Sequence, residues 1–183
     1  MQQLIEYRKR VERLAHARTG EGINNGSFDH AAIIIEQMFK SAESQIGILT
    51  NNLNARVYAR EAILEEAKMF LAQGDRSARI LLESTDDAIF REHPFFEHIR
   101  NNDNVEVRRV PASLRAAYDY HFLIMDNDSY RYEPTKDGPS AVAAFGDHEG
   151  AKNLSKIFDI IWGGSALVDH RSPSRAAQTG VVA

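Results

Sequence analysis

Residues 118–133 read YDYHFLIMDNDSYRYE, and the period of the first half is two. Tyr118, Tyr120, Phe122 and Ile124 fall on one side of an extended chain, and Asp119, His121, Leu123 and Met125 on the other. An Asp126-Asn127-Asp128 turn then leads into a second strand, Ser129 to Glu133. A carboxylate and an imidazole on a strand this apolar need a partner or a purpose, because burying a polar group without a hydrogen bond is costly. Whether Arg131 and Glu133 share the Asp119/His121 face depends on the turn. A two-residue Asn127-Asp128 loop would place Tyr130 and Tyr132 there instead.

On either side of this hairpin, short apolar runs alternate with helical stripes. Downstream, Ser140–Phe145 (SAVAAF) reads as a strand. A helix capped by Asp147 follows, with Ala151, Leu154, Ile157, Phe158, Ile161 and Trp162 on one stripe and Gly163-Gly164 at its end. The single Trp is therefore a core residue. Upstream, strands are expected at Gln45–Thr50 (QIGILT), Ala78–Glu83 (ARILLE) and Val105–Val110 (VEVRRV). Between them lie a helix from about Ala59 to Gln73 and a helical region capped by Thr85 or Asp86, broken near Pro94, with Phe95, Phe96 and Ile99 turned inward. Ser27 or Asp29 caps an earlier helix carrying Phe28, Ala31, Ile35, Met38 and Ala42.

Residues 1–20 form an amphipathic helix with Leu4, Tyr7, Val11 and Leu14 spaced 3-4-3, two heptads that can pack on their own domain or on a second copy. Thr19–Gly26 (TGEGINNG) reads as a linker. The α/β domain spans 27–167, and 168–183 reads as a flexible tail. The order is a helix, β-α-β-α-β, a meander and a helix. It implies a mixed, mostly parallel sheet between helical layers.

Composition narrows the chemistry. The chain has 183 residues, 43 % apolar and 26 % charged, which suits one soluble domain. With no cysteine, disulfides, thiolate metal sites and cysteine nucleophiles are excluded, and a cytoplasmic address is expected. No stretch has the length of a membrane span. Net charge is −4 overall against +3 in residues 1–20, so −7 elsewhere, a balance that argues against general nucleic-acid binding and leaves that role to a local basic patch. No cofactor fingerprint, phosphate loop or metal-ligand spacing is present.

Ligands of such sheets bind beyond the carboxyl ends of parallel strands. Asn51, Asn52 and Ser84 stand there and could hydrogen-bond a phosphate or ribose, or could serve only as turn and cap residues. Asp119 beside His121 makes a proton-transfer pair or a structural pair at the core edge.

The element order and the strand-end residues of YDYHFLIMDND resemble a single phospholipase D-like domain. The resemblance covers roughly residues 27–165 and includes NLNARVYAR (52–60) and the terminal FDIIW (158–162). That family carries His-x-Lys-x4-Asp, and two such domains pair to hydrolyse phosphodiesters through a phospho-histidine. Two registers are possible here. With His121 as the histidine, Leu123 takes the lysine position and Asp128 the aspartate position. With Asp126 as the aspartate, Asp119 takes the histidine position and His121 the lysine position.

Neither register restores the motif, so the resemblance implies a non-catalytic binding or assembly domain. It would be a homodimer serving as a sensory or docking module in a bacterial regulatory or defence protein, with a protein partner or a phosphorylated ligand near Asn51, Asn52, Ser84, His121, Asp126 and Glu133. The rival expectation is a phosphodiesterase or nuclease using His121 and Asp119, with Arg131 replacing the lysine. A third is nucleic-acid binding by the N-terminal helix.

Overall fold

The computed structural model describes residues 2–84, 92–136 and 138–171. Its centre is three adjacent strands: β2 (Gln45–Thr50), β3 (Ser77–Leu82) and β5 (His121–Met125). Around them β1 (Gly22–Asn25), β4 (Val105–Arg109), β6 (Ser129–Glu133), β7 (Ala141–Ala144) and β8 (Ala166–Leu167) complete one eight-stranded sheet. Its order is β1-β7-β6-β5-β2-β3-β4-β8.

The sheet is mixed, as expected, but mostly antiparallel rather than mostly parallel. Among the described residues only β2–β3 and β3–β4, joined through helices, run parallel. The chain enters β5 against the direction of β2, and short turns then keep β6 and β7 antiparallel. Two edge strands, β1 and β8, tip the balance further. Neither was expected. Thr19–Gly26 is not simply a linker, because Ile23 and Asn25 point inward while β1 pairs with β7.

Helices cover both faces. On one lie α1 (Gln2–Ala17), α2 (Phe28–Ser41), α3 (Ala55–Tyr58), α4 (Glu61–Leu71) and α5 (Pro94–Ile99). Ser27 caps α2 by accepting from His30 N at 3.1 Å, and every residue from Ala31 to Phe39 is buried. That helix is wedged between the sheet, α1 and α4, so its apolar surface continues all round, as a fully enclosed helix requires. The heptad seam of α1 is used within the chain. Val11, Leu14 and Ala15 are buried, Tyr7 stacks on His30 at 3.8 Å, and Arg8 forks onto Glu36 at 2.5 and 2.8 Å. Leu4 and Ile5 in its first turn stay exposed.

The opposite face holds α6 (Ala112–Arg115) and α7 (His148–Gly163). Asp147 caps α7, and Phe158 sits over Phe122. Trp162 packs on Phe158 at 5.5 Å as a half-buried residue flanked by Arg79 and Arg108. Gly47 makes room for β5: a Cβ there would lie 2.9 Å from Ile124 Cγ1.

The expected strand from Tyr118 is shorter than read, since β5 begins at His121. The helix near 59–73 spans Glu61–Leu71. The expected caps Thr85 and Asp86, and residues 172–183 of the expected tail, lie outside the described residues.

Candidate functional site

The β5–β6 turn settles which side chains meet. Asp126 and Asn127 both adopt positive φ (52° and 59°), which Asx residues tolerate best after glycine, and Asp128 N donates to Met125 O. Three residues, not two, therefore connect the strands, and Met125 stands opposite Ser129. The register then places Leu123 opposite Arg131 and His121 opposite Glu133. Directly opposed residues project to the same side of a sheet. His121, Arg131 and Glu133 consequently share the face covered by α2 and α3, while Tyr120 and Tyr132 share the other, with ring centroids 5.6 Å apart.

His121 is 3 % exposed and stands between two carboxylates. Its Nε2 lies 3.4 Å from Glu83 Oε1, an ion-pair distance without hydrogen-bond alignment, and its Nδ1 lies 3.8 Å from Glu133 Oε2. Glu83 follows β3 directly, and its backbone N–H extends the β2–β3 ladder to Thr50 O. Each carboxylate has a cation of its own. Lys136 Nζ is 3.0 Å from Glu83 Oε1, and Arg131 binds Glu133. Arg131, 4 % exposed, also donates through Nε to Asn25 Oδ1 at 3.0 Å. Asn25 in turn donates to Ser27 O and Pro139 O, which ties the edge strand β1 to the network. Lys136 is held by its own contacts: Nζ donates to Arg115 O and lies 4.2 Å from the centre of the Tyr118 ring, and its backbone N–H donates to Asp119 O.

These charges shift one another. Burial works to raise the Glu83 carboxyl, yet His121, Lys136 and the Tyr118 hydroxyl outweigh it and hold the carboxyl down at about 2. Burial likewise opposes ionisation of Glu133, and His121 and Arg131 overcome it to lower that pKa. For His121, burial pulls the pKa down, but Glu133 and Glu83 more than compensate and raise it. The imidazolium form is thus the stabilised one. Burial, then Glu83 beside it, pushes the Tyr118 phenol far above its usual range.

Beside the network lies a cavity of about 30 Å³, bounded by Thr50, Asn52, Asn54, Tyr58, His121 and Arg131 among others. That is room for roughly one water molecule.

The structure gathers His121, Arg131, Glu133 and Asn52 at one place, and leaves the other expected residues apart. Asp119 is exposed, precedes β5, and does not pair with His121; the carboxylate partners come from β3 and β6 instead. Asn51 and Ser84 are joined backbone to backbone, Ser84 N to Asn51 O at 2.9 Å, and do not line the cavity. Asp126 closes the far end of β5. Its carboxylate accepts from Glu43 N, Ser44 N, Ser44 Oγ and Gln45 N, at 2.8 to 3.0 Å. Sequence reasoning missed Glu83 and Lys136. Glu83 carried a signal, a charge at the carboxyl end of an apolar strand. Lys136 carried none.

Comparison with known proteins bears on the fold. The family model for a domain of unknown function, DUF7931, matches residues 27–171. No curated protein sequence matches the chain. Among solved structures, TrmBL2, described as an archaeal chromatin protein with a novel mode of DNA binding, superposes with a TM-score of 0.61 at 13 % identity over 87 % of this chain. The chain spans only 60 % of that protein. The phospholipase D family member Nuc from Salmonella typhimurium superposes with a TM-score of 0.57 at 14 % identity, covering 81 % of this chain and 99 % of Nuc. NucT from Helicobacter pylori gives 0.54 at 13 % identity, covering 81 % and 100 %. The fold is phospholipase D-like; at these identities the likeness extends to the fold alone.

Proposed function

We propose, for a chain that belongs to the family of the domain of unknown function DUF7931, that it is a phospholipase D-like binding and assembly domain without phosphodiesterase activity. The observation that carries this reading is the occupancy of His121: each ring nitrogen faces a carboxylate, and each carboxylate is claimed by a cation. Attack on phosphorus needs an imidazole nitrogen with a free lone pair and a cation free to hold phosphate oxygens. Glu83 and Glu133 favour the protonated imidazole, the form without a lone pair to offer, and the two carboxylates repel a phosphodiester. Arg131, the candidate substitute for the lysine, is committed to Glu133 and Asn25.

Asp126 closes β5, which favours the register that puts Asp119 and His121 at the family's histidine and lysine positions. An exposed carboxylate in the first of these places is a poor substitute nucleophile for an anionic substrate. What remains is a rigid charge network that sets the shape of the surface around Thr50, Asn52 and Asn54. On this reading a partner meets that surface, and two copies associate through α1, whose Leu4 and Ile5 are exposed. A cytoplasmic address, consistent with the absence of cysteine, belongs to the same proposal. Among the described residues no helix is long and apolar enough to cross a membrane.

Nucleic-acid binding through α1 receives less support. Of its basic residues, Arg8 is paired with Glu36 and Arg10 with Glu21, and Arg18, just beyond its end, is paired with Asp128. The resemblance to a DNA-binding chromatin protein keeps this a reading to test.

The test is hydrolysis of bis(p-nitrophenyl) phosphate and of single-stranded DNA by the wild type and by His121→Ala, with sedimentation equilibrium alongside. No turnover by either protein, and a dimer in the centrifuge, are expected. Turnover by the wild type that vanishes in a folded His121→Ala would overturn the non-catalytic reading. A monomer at all concentrations would remove the assembly role.

A further inference from the structure

At the end of the sheet remote from His121, the first half of α7 and the starts of β2 and β3 border an open groove of about 630 Å³. Lys152 and Lys156 line it and are exposed, and neither makes an ion pair among the described residues. His148 precedes them on the same stripe. Successive members are four residues apart, so they stand about 6 Å from one another along the helix axis. Arg79 also lines the groove but is paired with Asp159 at 2.9 Å. Counting Arg79, Lys152 and Lys156 against Asp159, the groove carries +2 in a chain of −4 overall. Glu149 shares the stripe of the two lysines on α7 but does not line the groove, and among the described residues it pairs with neither; with it the local balance is +1.

We propose that this groove docks the sugar–phosphate backbone of double-stranded nucleic acid. Three features select that partner. Unpaired lysines at helical-turn spacing present a row of point charges, which suits a continuous line of phosphates. The amides of Gln45 and Asn127, also in the lining, offer donors to phosphate oxygens without reading bases. Among the described residues no Phe, Tyr, Trp or aliphatic side chain lines the groove. It therefore lacks the stacking platform that a single strand uses and the apolar anchor that a protein partner uses. The site is separate from the His121 network and does not depend on the reading of that network.

The experiment is fluorescence anisotropy of a labelled duplex of mixed sequence, titrated with the full chain over a range of salt, for the wild type and for the double variant Lys152→Gln/Lys156→Gln. Both substitutions are at exposed positions, and an unchanged melting temperature confirms that the fold is kept. Two phosphate contacts give a log–log salt slope of about −1.8, so a fourfold rise in salt weakens binding about tenfold. The double variant is expected to lose that slope. Absence of binding at low salt, or binding that the double variant leaves unchanged, overturns the proposal. Equal affinity for a single strand, or displacement of the duplex by polyglutamate at matched charge, also overturns it, because the groove would then read charge without a duplex backbone.

Discussion

The two ends of β5 both bury a carboxylate-rich cluster, and they do so in opposite ways. At the Met125 end, Asp126 is satisfied by three backbone N–H groups and one hydroxyl from residues 43–45. Those donors are fixed and neutral, so the cluster joins the α2–β2 connection to the β5–β6 turn. Arg18 reaches the same corner, donating to Asp128 and to Ser41 O and lying 3.7 Å from Asp126 Oδ2, so one cation supplements the neutral donors there. At the His121 end, charges are balanced by charges: Glu83 and Glu133 against His121, Arg131 and Lys136. Backbone donors cannot titrate and cannot leave; ionisable side chains can do both. One end is a static clasp, and the other is a network whose strength depends on every member.

The sharpest way to break this comparison is to strand one charge. Glu133→Leu leaves Arg131 buried without its carboxylate, and a loss of about 3–5 kcal/mol is expected in urea denaturation. The double variant Arg131→Met/Glu133→Leu removes both charges and should recover most of that loss, because a buried pair often contributes little beyond an apolar replacement. A double variant no better than the single one would show that the network does more than neutralise itself.

Asp126→Ala tests the other end. Here the stranded groups are amides close to solvent that water can reach, so a smaller loss, about 2 kcal/mol, is expected from the same measurement. A loss as large as that of Glu133→Leu would erase the distinction between the two ends.

The subtlest difference is in pH dependence. His121 has a raised folded pKa, so its contribution is fully present below its unfolded pKa, near 6.5, and is lost as pH rises through the folded value. Glu83 and Glu133 have lowered folded pKa values. Their contribution is present above the unfolded value, near 4.5, and is lost as pH falls, toward about 2 for Glu83. Stability measured against pH should therefore form a plateau from about 4.5 to 6.5 and decline on both sides. His121→Gln should flatten the alkaline decline. If the decline persists unchanged in that variant, His121 is not its source.

Much of the scaffold was legible in one dimension. The runs QIGILT, ARILLE and VEVRRV, the stripe of α7 and its Asp147 cap all carry local signals, because period and cap chemistry are properties of neighbouring residues. The edge strands β1 and β8 carry almost none. Four residues of GINN and two of AL become strands only because β7 and β4 offer them unpaired backbone groups. The parallel-to-antiparallel balance was misjudged for a different reason: β5 inserts beside β2 against its direction, and the direction in which a strand enters the sheet is not written in its own pattern.

The site divides in the same way. His121 on a strand, a turn of three Asx residues, and Arg131 and Glu133 two apart on the next strand are facts of the sequence. The alternation of side chains already ensured that Arg131 and Glu133 share a face. Which face that is depended on one residue in the turn, and the positive-φ geometry of Asp126 and Asn127 decided it. Glu83 and Lys136 reach His121 from 38 residues before it and 15 after it, and Asp119, its near neighbour in sequence, turns away. Local periodicity can put a histidine on a buried face. Only the crossing of β3, β5 and the segment after β6 in three dimensions selects the charges around it, and so whether its nitrogens are free.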